Sequence, residues 1–272
     1  MTPGSSVYII ERDPFRSIRR GRQLFQRKFT HLQGQGPNEG DGTGDLGTDN
    51  AIGAGLSDSC ALCHGRPRGS AGIGGNVPTR PDSRDAPHLF GLGLREMLAD
   101  EITSDLRDIR TQAVVLAVKS GHSVTMRLTS KGISYGFITA YPSGTVDYSR
   151  ISGVDSDLRV KPFFAEGSTI SIREFVVTAM HRELGLEIND PDLAKASTGE
   201  RVVSPAGMVL DGRLDKITPP PPRDIESGQY NLDPGVVDHL EFYLLNYFKP
   251  GLGKQDATTQ HGRVVFNRIG CS

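Results

Sequence analysis

The chain has 272 residues and a formal net charge of −1, from 31 Lys and Arg against 32 Asp and Glu. This balance excludes a simple polybasic nucleic-acid binder and an acidic tail protein. Only 36% of the residues are hydrophobic, while 33 are Gly and 17 are Pro, so we expect a folded, loop-rich protein with a thin core of the kind that often depends on a metal or cofactor.

The first part of the chain is predicted to hold one amphipathic helix and two long loops. The helix covers residues 14–29, with Pro14 suited to its first turn and apolar residues gathered mainly on one face. Glycine-rich loops at 33–59 and 65–87 flank the short sequence Cys-Ala-Leu-Cys-His at 60–64. Loops of such length are usually functional or disordered, so they direct attention to the motif between them.

The middle of the chain changes from helical to strand periodicity. Apolar residues at helical spacing predict a helix over residues 92–109. Three short stretches at 123–130, 132–140 and 145–151 read as strands, with a Pro-Ser-Gly turn at 142–144. Together they predict a small antiparallel sheet.

Two further helices are predicted in the second half. Ser171 followed by Glu174 fits a capping box at the start of a helix over 172–184, and a glycine follows as its stop. Residues 186–233 read as loop-rich. The last strong helix is predicted at 235–248, ended by Pro-Gly.

The cysteine motif predicts covalent attachment of a c-type haem. Cys60 and Cys63 stand about one helical turn apart, where two thiols can each bond one vinyl-derived carbon of a porphyrin. His64 follows directly and offers its imidazole as the proximal ligand of the iron. Cys271 makes the cysteine count odd, which does not describe a disulfide framework.

Two other interpretations of the motif stay open. A zinc site needs a second pair of ligands, and the chain offers only Cys271 and scattered histidines. A thioredoxin-like dithiol normally follows a strand and opens a long helix, whereas this pair lies between glycine-rich loops. Haem attachment is the favoured interpretation.

Segments on both sides of the motif resemble those of the cytochrome c fold. A helix with Gly21 and Phe25 precedes the motif, and the predicted helix at 235–248 resembles the C-terminal helix that packs across it. After the motif, Pro87 and Leu89 resemble the Pro-x-Leu-x-Gly segment of cytochromes c. In that segment the proline carbonyl accepts the N–H of the proximal imidazole and fixes its ring.

A later loop resembles the one that delivers a sixth iron ligand in cytochromes c. Residues 205–212 fit the pattern Pro-x-x-Met-x-x-x-Gly and place Met208 as the axial methionine. Met97 and Met180 lie in predicted helices and are better explained as packing. His122 and His181 are the fallback ligands.

A short repeat relates the two ends of the chain. Residues 21–27 and 262–268 both fit Gly-Arg-x-x-Phe-x-Arg, and each lies upstream of a cysteine. Cys271 follows the second copy at the spacing that is ordinary in cytochromes c. We therefore expect the reading frame after Ser272 to complete a second Cys-x-x-Cys-His motif, which makes the chain a fragment; the alternative is a true C-terminus with a stray cysteine.

As a set, these pieces resemble the bacterial di-haem oxidoreductases related to di-haem cytochrome c peroxidases, some of which are labelled thiol oxidoreductases. The resemblance runs from about Arg12 to the end of the chain. It implies a mainly α, cytochrome c-like domain with long loop insertions and a small antiparallel β insertion. That domain would cover residues 12–250 with its insertion at about 113–200, and residues 251–272 would begin a second, truncated cytochrome c-like domain.

The resemblance implies the electron-transfer haem domain of a di-haem peroxidase-like oxidoreductase. One covalently bound haem c is expected in this chain and a second in the full-length protein. The expected partner is an electron-donor protein or a small redox donor, without nucleic acid. No apolar run approaches the ~18 residues of an integral membrane segment. No signal peptide is visible, yet the family implies a periplasmic or extracytoplasmic location because bacterial haem attachment occurs there.

Two alternative functions remain beside that one. The first is a pure electron-relay cytochrome c without peroxidase activity, and the second, ranked lower, is a zinc-stabilised binding module. Arg66, Arg68, Arg80 and Arg84 follow the motif and are candidates to pair with haem propionates, with Arg84 chosen among them; otherwise they simply solvate a loop. No spacing singles out a catalytic acid or base, so no catalytic residue is assigned.

Overall fold

Helices predominate among the residues that the computed structural model describes, which are 2–36, 57–65, 86–164, 167–221, 229–246, 251 and 253–271. The α-helices are α1 Ser6–Arg12, α2 Pro14–Gln26, α3 Cys60–His64, α4 Leu92–Ser120, α5 Ile172–Leu184, α6 Pro191–Ser197, α7 Pro234–Asn246 and α8 Ala257–Arg268. The strands are β1 Val124–Ser130, β2 Ile133–Ala140, β3 Val146–Ile151, β4 Arg201–Val203 and β5 Val209–Asp211. The architecture is mixed α/β, mostly helical with a small antiparallel sheet, as predicted at this level of detail.

Helix α2 begins and packs for reasons that its sequence explains. Pro14 occupies its first position, and the side chain of Asp13 accepts a hydrogen bond from the backbone N–H of Arg16 at 3.0 Å. The helix crosses α7 at Gly21, where a β-carbon would overlap the carbonyl oxygen of His239. Only glycine permits so close an approach of the two helices.

Helix α4 is longer than predicted and joins two separate hydrophobic cores. We expected it to end near residue 109, but it continues to Ser120 and stops at Gly121, whose φ is +70°. The extension forms because Ala113 and Ala117 are buried against β1 and β2, so tertiary packing adds to good helix-forming residues.

The second core lies between the end of α4 and the sheet β1–β2–β3. Both strand pairs are antiparallel, and each observed strand lies within its predicted stretch. Leu128 and Ile138 point inward from neighbouring strands and are almost fully buried. Alternation along the strands thus places one face on the helix and leaves the other open to solvent.

The first core gathers α2, α5, α6, α7, the start of α4 and the hairpin β4–β5. Helix α5 confirms the predicted bounds 172–184, since the side chain of Ser171 caps the N–H of Glu174 and Gly185 adopts φ of +72°. Both α5 and α6 lie inside the expected 113–200 insertion, yet they pack here. The division of the chain into cytochrome c-like domains stays a prediction.

Two elements in the region read as loop were not predicted. Helix α6 starts at Pro191, with the side chain of Asp190 accepting from the N–H of Leu193 at 2.9 Å. The hairpin β4–β5 pairs Val203 with Val209 around a tight turn. Each element is short, so its periodicity is too weak to stand out in the sequence.

Helix α8 carries the second copy of the repeat and has no buried residue among those described. The apolar side chains of Val264 and Phe266 in this helix are 60% and 50% exposed, and that of Ile269, just after it, is 65% exposed. The segment 251–272, predicted to begin a second domain, thus contains a helix that packs little against the rest of the described chain. Within the part of the chain that the structure describes, no helix is both long and apolar enough to cross a membrane.

Candidate functional site

The Cys-Ala-Leu-Cys-His sequence forms one short helix, α3. Residues that follow α2 hold the start of this helix in place. The backbone N–H of Phe29 donates to the carbonyl oxygen of Asp58 at 2.8 Å, and Nε2 of Gln35 donates to the carbonyl oxygen of Ser57 at 3.0 Å. Lys28 adds an ion pair to Asp58 at 2.8 Å. These bonds attach the residues just before α3 to the chain that leaves α2.

The two cysteines of α3 are free thiols. Both are half-buried, and Cys60 packs against the first core. Burial raises the pKa of Cys60 to about 12, and burial also raises the pKa of Cys63. The thiols are therefore protonated at neutral pH and joined to no other cysteine.

His64 is oriented by a carbonyl oxygen distant in sequence. Its Nδ1 lies 2.8 Å from the carbonyl oxygen of Pro87. A carbonyl oxygen can only accept, so Nδ1 carries the proton and Nε2 keeps its lone pair. Burial lowers the pKa of His64, and the bond to Pro87 offsets this only in part, so the ring is neutral. Nε2 is the atom with which a neutral imidazole in this tautomer binds a metal ion.

Phe25 connects α3 to the helix pair α2 and α7. Its ring centroid lies 6.5 Å from that of His64 and 5.8 Å from that of Tyr243. Gly21, one turn earlier, meets the main chain of α7. In the first repeat copy, Gly21 therefore allows the close contact with α7, and Phe25 packs beside the ring of His64.

The remaining predicted site residues have different placements. Pro87 contributes the carbonyl group already described, and Leu89 is buried in the first core. Met208 lies half-buried in the turn between β4 and β5, where its carbonyl oxygen accepts from the N–H of Ser204 at 2.8 Å. Its role as an axial ligand stays a prediction. The arginines proposed for propionates, Arg66, Arg68, Arg80 and Arg84, lie outside the described residues.

Other methionines and histidines separate by burial. Met180 is 1% exposed in the first core, which confirms its assignment to packing, but Met97 is 55% exposed and that assignment was wrong. His122 lies exposed between α4 and β1. His181 is buried, with Nδ1 3.9 Å from a carboxylate oxygen of Glu187.

Sequence reasoning missed the neighbours that set the environment of Cys63. Burial is the main reason that the pKa of Cys63 is raised; the hydroxyl of Ser57 opposes this shift, and the charge of Glu183 adds to it. Glu183 comes from α5, far along the chain, so no local pattern announces it. In the described ranges, no group of three or more His, Cys, Asp or Glu side chains is arranged to hold a metal ion. The zinc interpretation therefore gains no support from them.

The chain was compared with protein-family models, with curated proteins and with solved structures, and it matches none of them. The interpretation of the site consequently depends on its own residues and geometry.

Proposed function

We propose that the chain is a c-type haem protein that binds one haem through Cys60, Cys63 and His64. The observation that carries the proposal is the 2.8 Å contact between Nδ1 of His64 and the carbonyl oxygen of Pro87. Because this contact keeps the proton on Nδ1, the lone pair of Nε2 stays free to bind iron, as a proximal ligand requires. The two thiols on the same helical turn supply the points of covalent attachment.

When bound, haem c would supply an iron centre that exchanges single electrons. The residues of the chain would fix and tune that centre. Pro87 holds the imidazole in one tautomer and strengthens its donor nitrogen. Phe25 packs beside the ring, and Leu89 contributes apolar surface from the first core. A low-dielectric surrounding of this kind influences the reduction potential.

Haem attachment can be measured directly on this chain. The protein should be produced in the periplasm of a host with c-type maturation machinery, and covalent haem should be quantified after denaturation. We expect one haem per chain. Replacing Cys60 and Cys63 by Ala should abolish covalent attachment, whereas Cys271→Ser, a matched change at the exposed thiol, should leave it intact. Zinc without haem in the same material would contradict the proposal and favour the zinc-stabilised module.

The finer proposal is that this domain belongs to a di-haem peroxidase-like oxidoreductase located outside the cytoplasm. It is supported by the internal repeat, since Gly21 and Phe25 have structural roles at α7 and at His64 that Gly262 and Phe266 could repeat in a second domain. The test is reduction of hydrogen peroxide by the full-length, haem-loaded protein with a one-electron donor. No turnover after pre-reduction would contradict it, while haem loading would still stand.

One observation favours the alternative of a pure electron relay. The hairpin that carries Met208 is fixed to α7, because Oγ of Ser204 donates to Oε1 of Glu241 at 3.0 Å. A methionine held in a fixed turn is suited to close a sixth coordination position. A low-spin spectrum that Met208→Ala converts to high-spin would support the relay, whereas an unchanged spectrum would show that another group occupies the position.

A further inference from the structure

The outward face of α2 concentrates positive charge. Taking Gly21 as the inward direction, Arg19 and Arg16 point about 160° and 140° away, and Arg20 and Arg22 lie about 100° to either side, at 3.6 residues per turn. Arg16, Arg19 and Arg20 are exposed and Arg22 is partly exposed. The four guanidinium groups therefore cover the side of the helix that faces solvent, which we call the arginine face.

No ion pair neutralises the arginine face within the described residues. Other arginines of the chain are paired closely, such as Arg107 with Asp215 at 2.7 Å and Arg213 with Asp211 at 2.6 Å. The acidic residue nearest in sequence, Asp13, caps the start of α2. In a chain whose formal net charge is −1, four arginines on one helix that form no ion pair with a described residue make a strongly asymmetric charge distribution.

A large apolar side chain accompanies these charges. Phe15, in the first turn of α2, is 72% exposed and lies about 120° from the inward direction, on the same side as Arg22. The inner side of the helix is already filled, because Ser17, Gly21 and Phe25 are buried. The surface that remains is convex and cationic, with one aromatic ring.

We propose that the arginine face, together with Phe15, docks the protein on a membrane surface rich in anionic phospholipid. A convex helix with uniform positive charge fits a broad plane of phosphate groups, which needs no complementary shape. Guanidinium groups bind phosphate in a bidentate manner, and an exposed aromatic ring suits the interface between headgroups and acyl chains. An acidic protein partner is disfavoured, because specific protein interfaces usually contain a larger apolar centre than one phenylalanine.

This docking would be peripheral and does not depend on bound haem. Each arginine near an anionic surface is expected to strengthen partition about fivefold, so the four together contribute several hundredfold. The attraction should weaken as salt rises, because the charges are exposed.

The test is co-sedimentation of the full chain with vesicles of mixed phosphatidylglycerol and phosphatidylcholine, compared with phosphatidylcholine alone. We expect salt-sensitive binding to the anionic vesicles only. The combined variant Arg16→Gln, Arg19→Gln, Arg20→Gln and Arg22→Gln should lose at least about a hundredfold in partition. Phe15→Ser should lose about three- to tenfold.

A matched variant removes the same charge elsewhere. Arg127, Arg150, Arg263 and Arg268 are exposed on other elements, and changing all four to Gln should leave binding within about threefold of the parent. Equal losses in both variants would overturn the proposal, as would binding to neutral vesicles or no binding at low salt. Binding to polyglutamate without binding to vesicles would assign the face to an acidic protein and would equally overturn it. None of these outcomes depends on haem loading.

Discussion

Arg173 and Glu241 form a buried ion pair between α5 and α7, with Nη1 of the arginine 2.9 Å from Oε2 of the glutamate. Both residues are fully buried. Asp190 and Asp238 lie within 3.1 Å of the same guanidinium group. One cation thus holds several carboxylates inside the first core and joins α5, α7 and the start of α6.

We expect Arg173→Met to lower the free energy of unfolding by about 3–5 kcal/mol, because it leaves buried carboxylates without their cation. Chemical denaturation at neutral pH measures the change. Arg127→Met, at an exposed position of β1, is the control and should change stability by less than about 0.5 kcal/mol. Equal stability of the two variants would show that the cluster does not stabilise the fold.

Stability should fall as pH rises from about 5 to 8. Burial raises the pKa of Glu241 to about 7, although the guanidinium group of Arg173 opposes this shift, and it raises that of Glu96, whose Oε2 accepts the N–H of Ile172, to about 8. Between the ordinary value of 4.5 and these values, the folded state holds protons that the unfolded state has released. The stability that these two groups contribute is therefore greatest below the unfolded pKa and declines with increasing pH.

The variant Glu96→Gln isolates one of these groups, since glutamine keeps an acceptor for the N–H of Ile172. We expect it to flatten the decline and to gain on the order of 2 kcal/mol at pH 8 relative to pH 5, compared with the parent. Denaturation curves across this pH range provide the measurement. A Glu96→Gln variant whose stability follows the same pH profile as the parent would contradict the assignment.

The two glycines of the repeat should respond oppositely to alanine. A β-carbon at Gly21 would overlap the main chain of α7, whereas one at Gly262 has nothing within 4 Å. Gly21→Ala should destabilise the fold by about 1–3 kcal/mol or more through overpacking. Gly262→Ala should instead stabilise the helical state of α8 by up to about 1 kcal/mol and so raise its helix content. Denaturation and circular dichroism of the pair decide it, and a harmless Gly21→Ala would refute the close crossing.

The three cysteines of the haem-free chain should differ in alkylation rate. Cys271 is exposed, while the thiol of Cys60 packs against the first core and its pKa is raised to about 12 by burial. Only the thiolate reacts, so at pH 8 we expect Cys271 to be modified first and Cys60 last. Peptide mapping after timed treatment with iodoacetamide gives the order. Fast modification of Cys60 would mean that α3 does not pack as described.

Local signals predicted those elements whose stability is local. The bounds of α5 followed from Ser171 and Gly185, since caps and stops operate within one turn. The end of α4 could not be predicted in this way, because Ala113 and Ala117 remain helical through contact with a sheet formed later in the chain. The short helix α6 and the hairpin β4–β5 were not predicted, because elements this short show no clear periodicity in the sequence.

In the candidate site, too, local motifs predicted some residues, while contacts between distant residues could not be predicted. The motif identified Cys60, Cys63 and His64, and the likeness to cytochromes c pointed to Pro87, whose carbonyl oxygen the structure places beside the imidazole. The anchoring of Asp58 to Phe29 has no sequence signature, because the two residues are 29 positions apart in the chain. Contacts at so large a sequence separation depend on the whole fold rather than on spacing.

Helix α4 has a mechanical consequence. Its 29 residues extend about 43 Å as one hydrogen-bonded rod. Leu92 is packed in the first core and Ala117 in the second, so a movement of either core would bend or shift the helix that they share. A displacement of the sheet would therefore be transmitted along α4 to its first residue, Leu92. Leu92 lies five residues after Pro87, whose carbonyl oxygen holds the imidazole of His64.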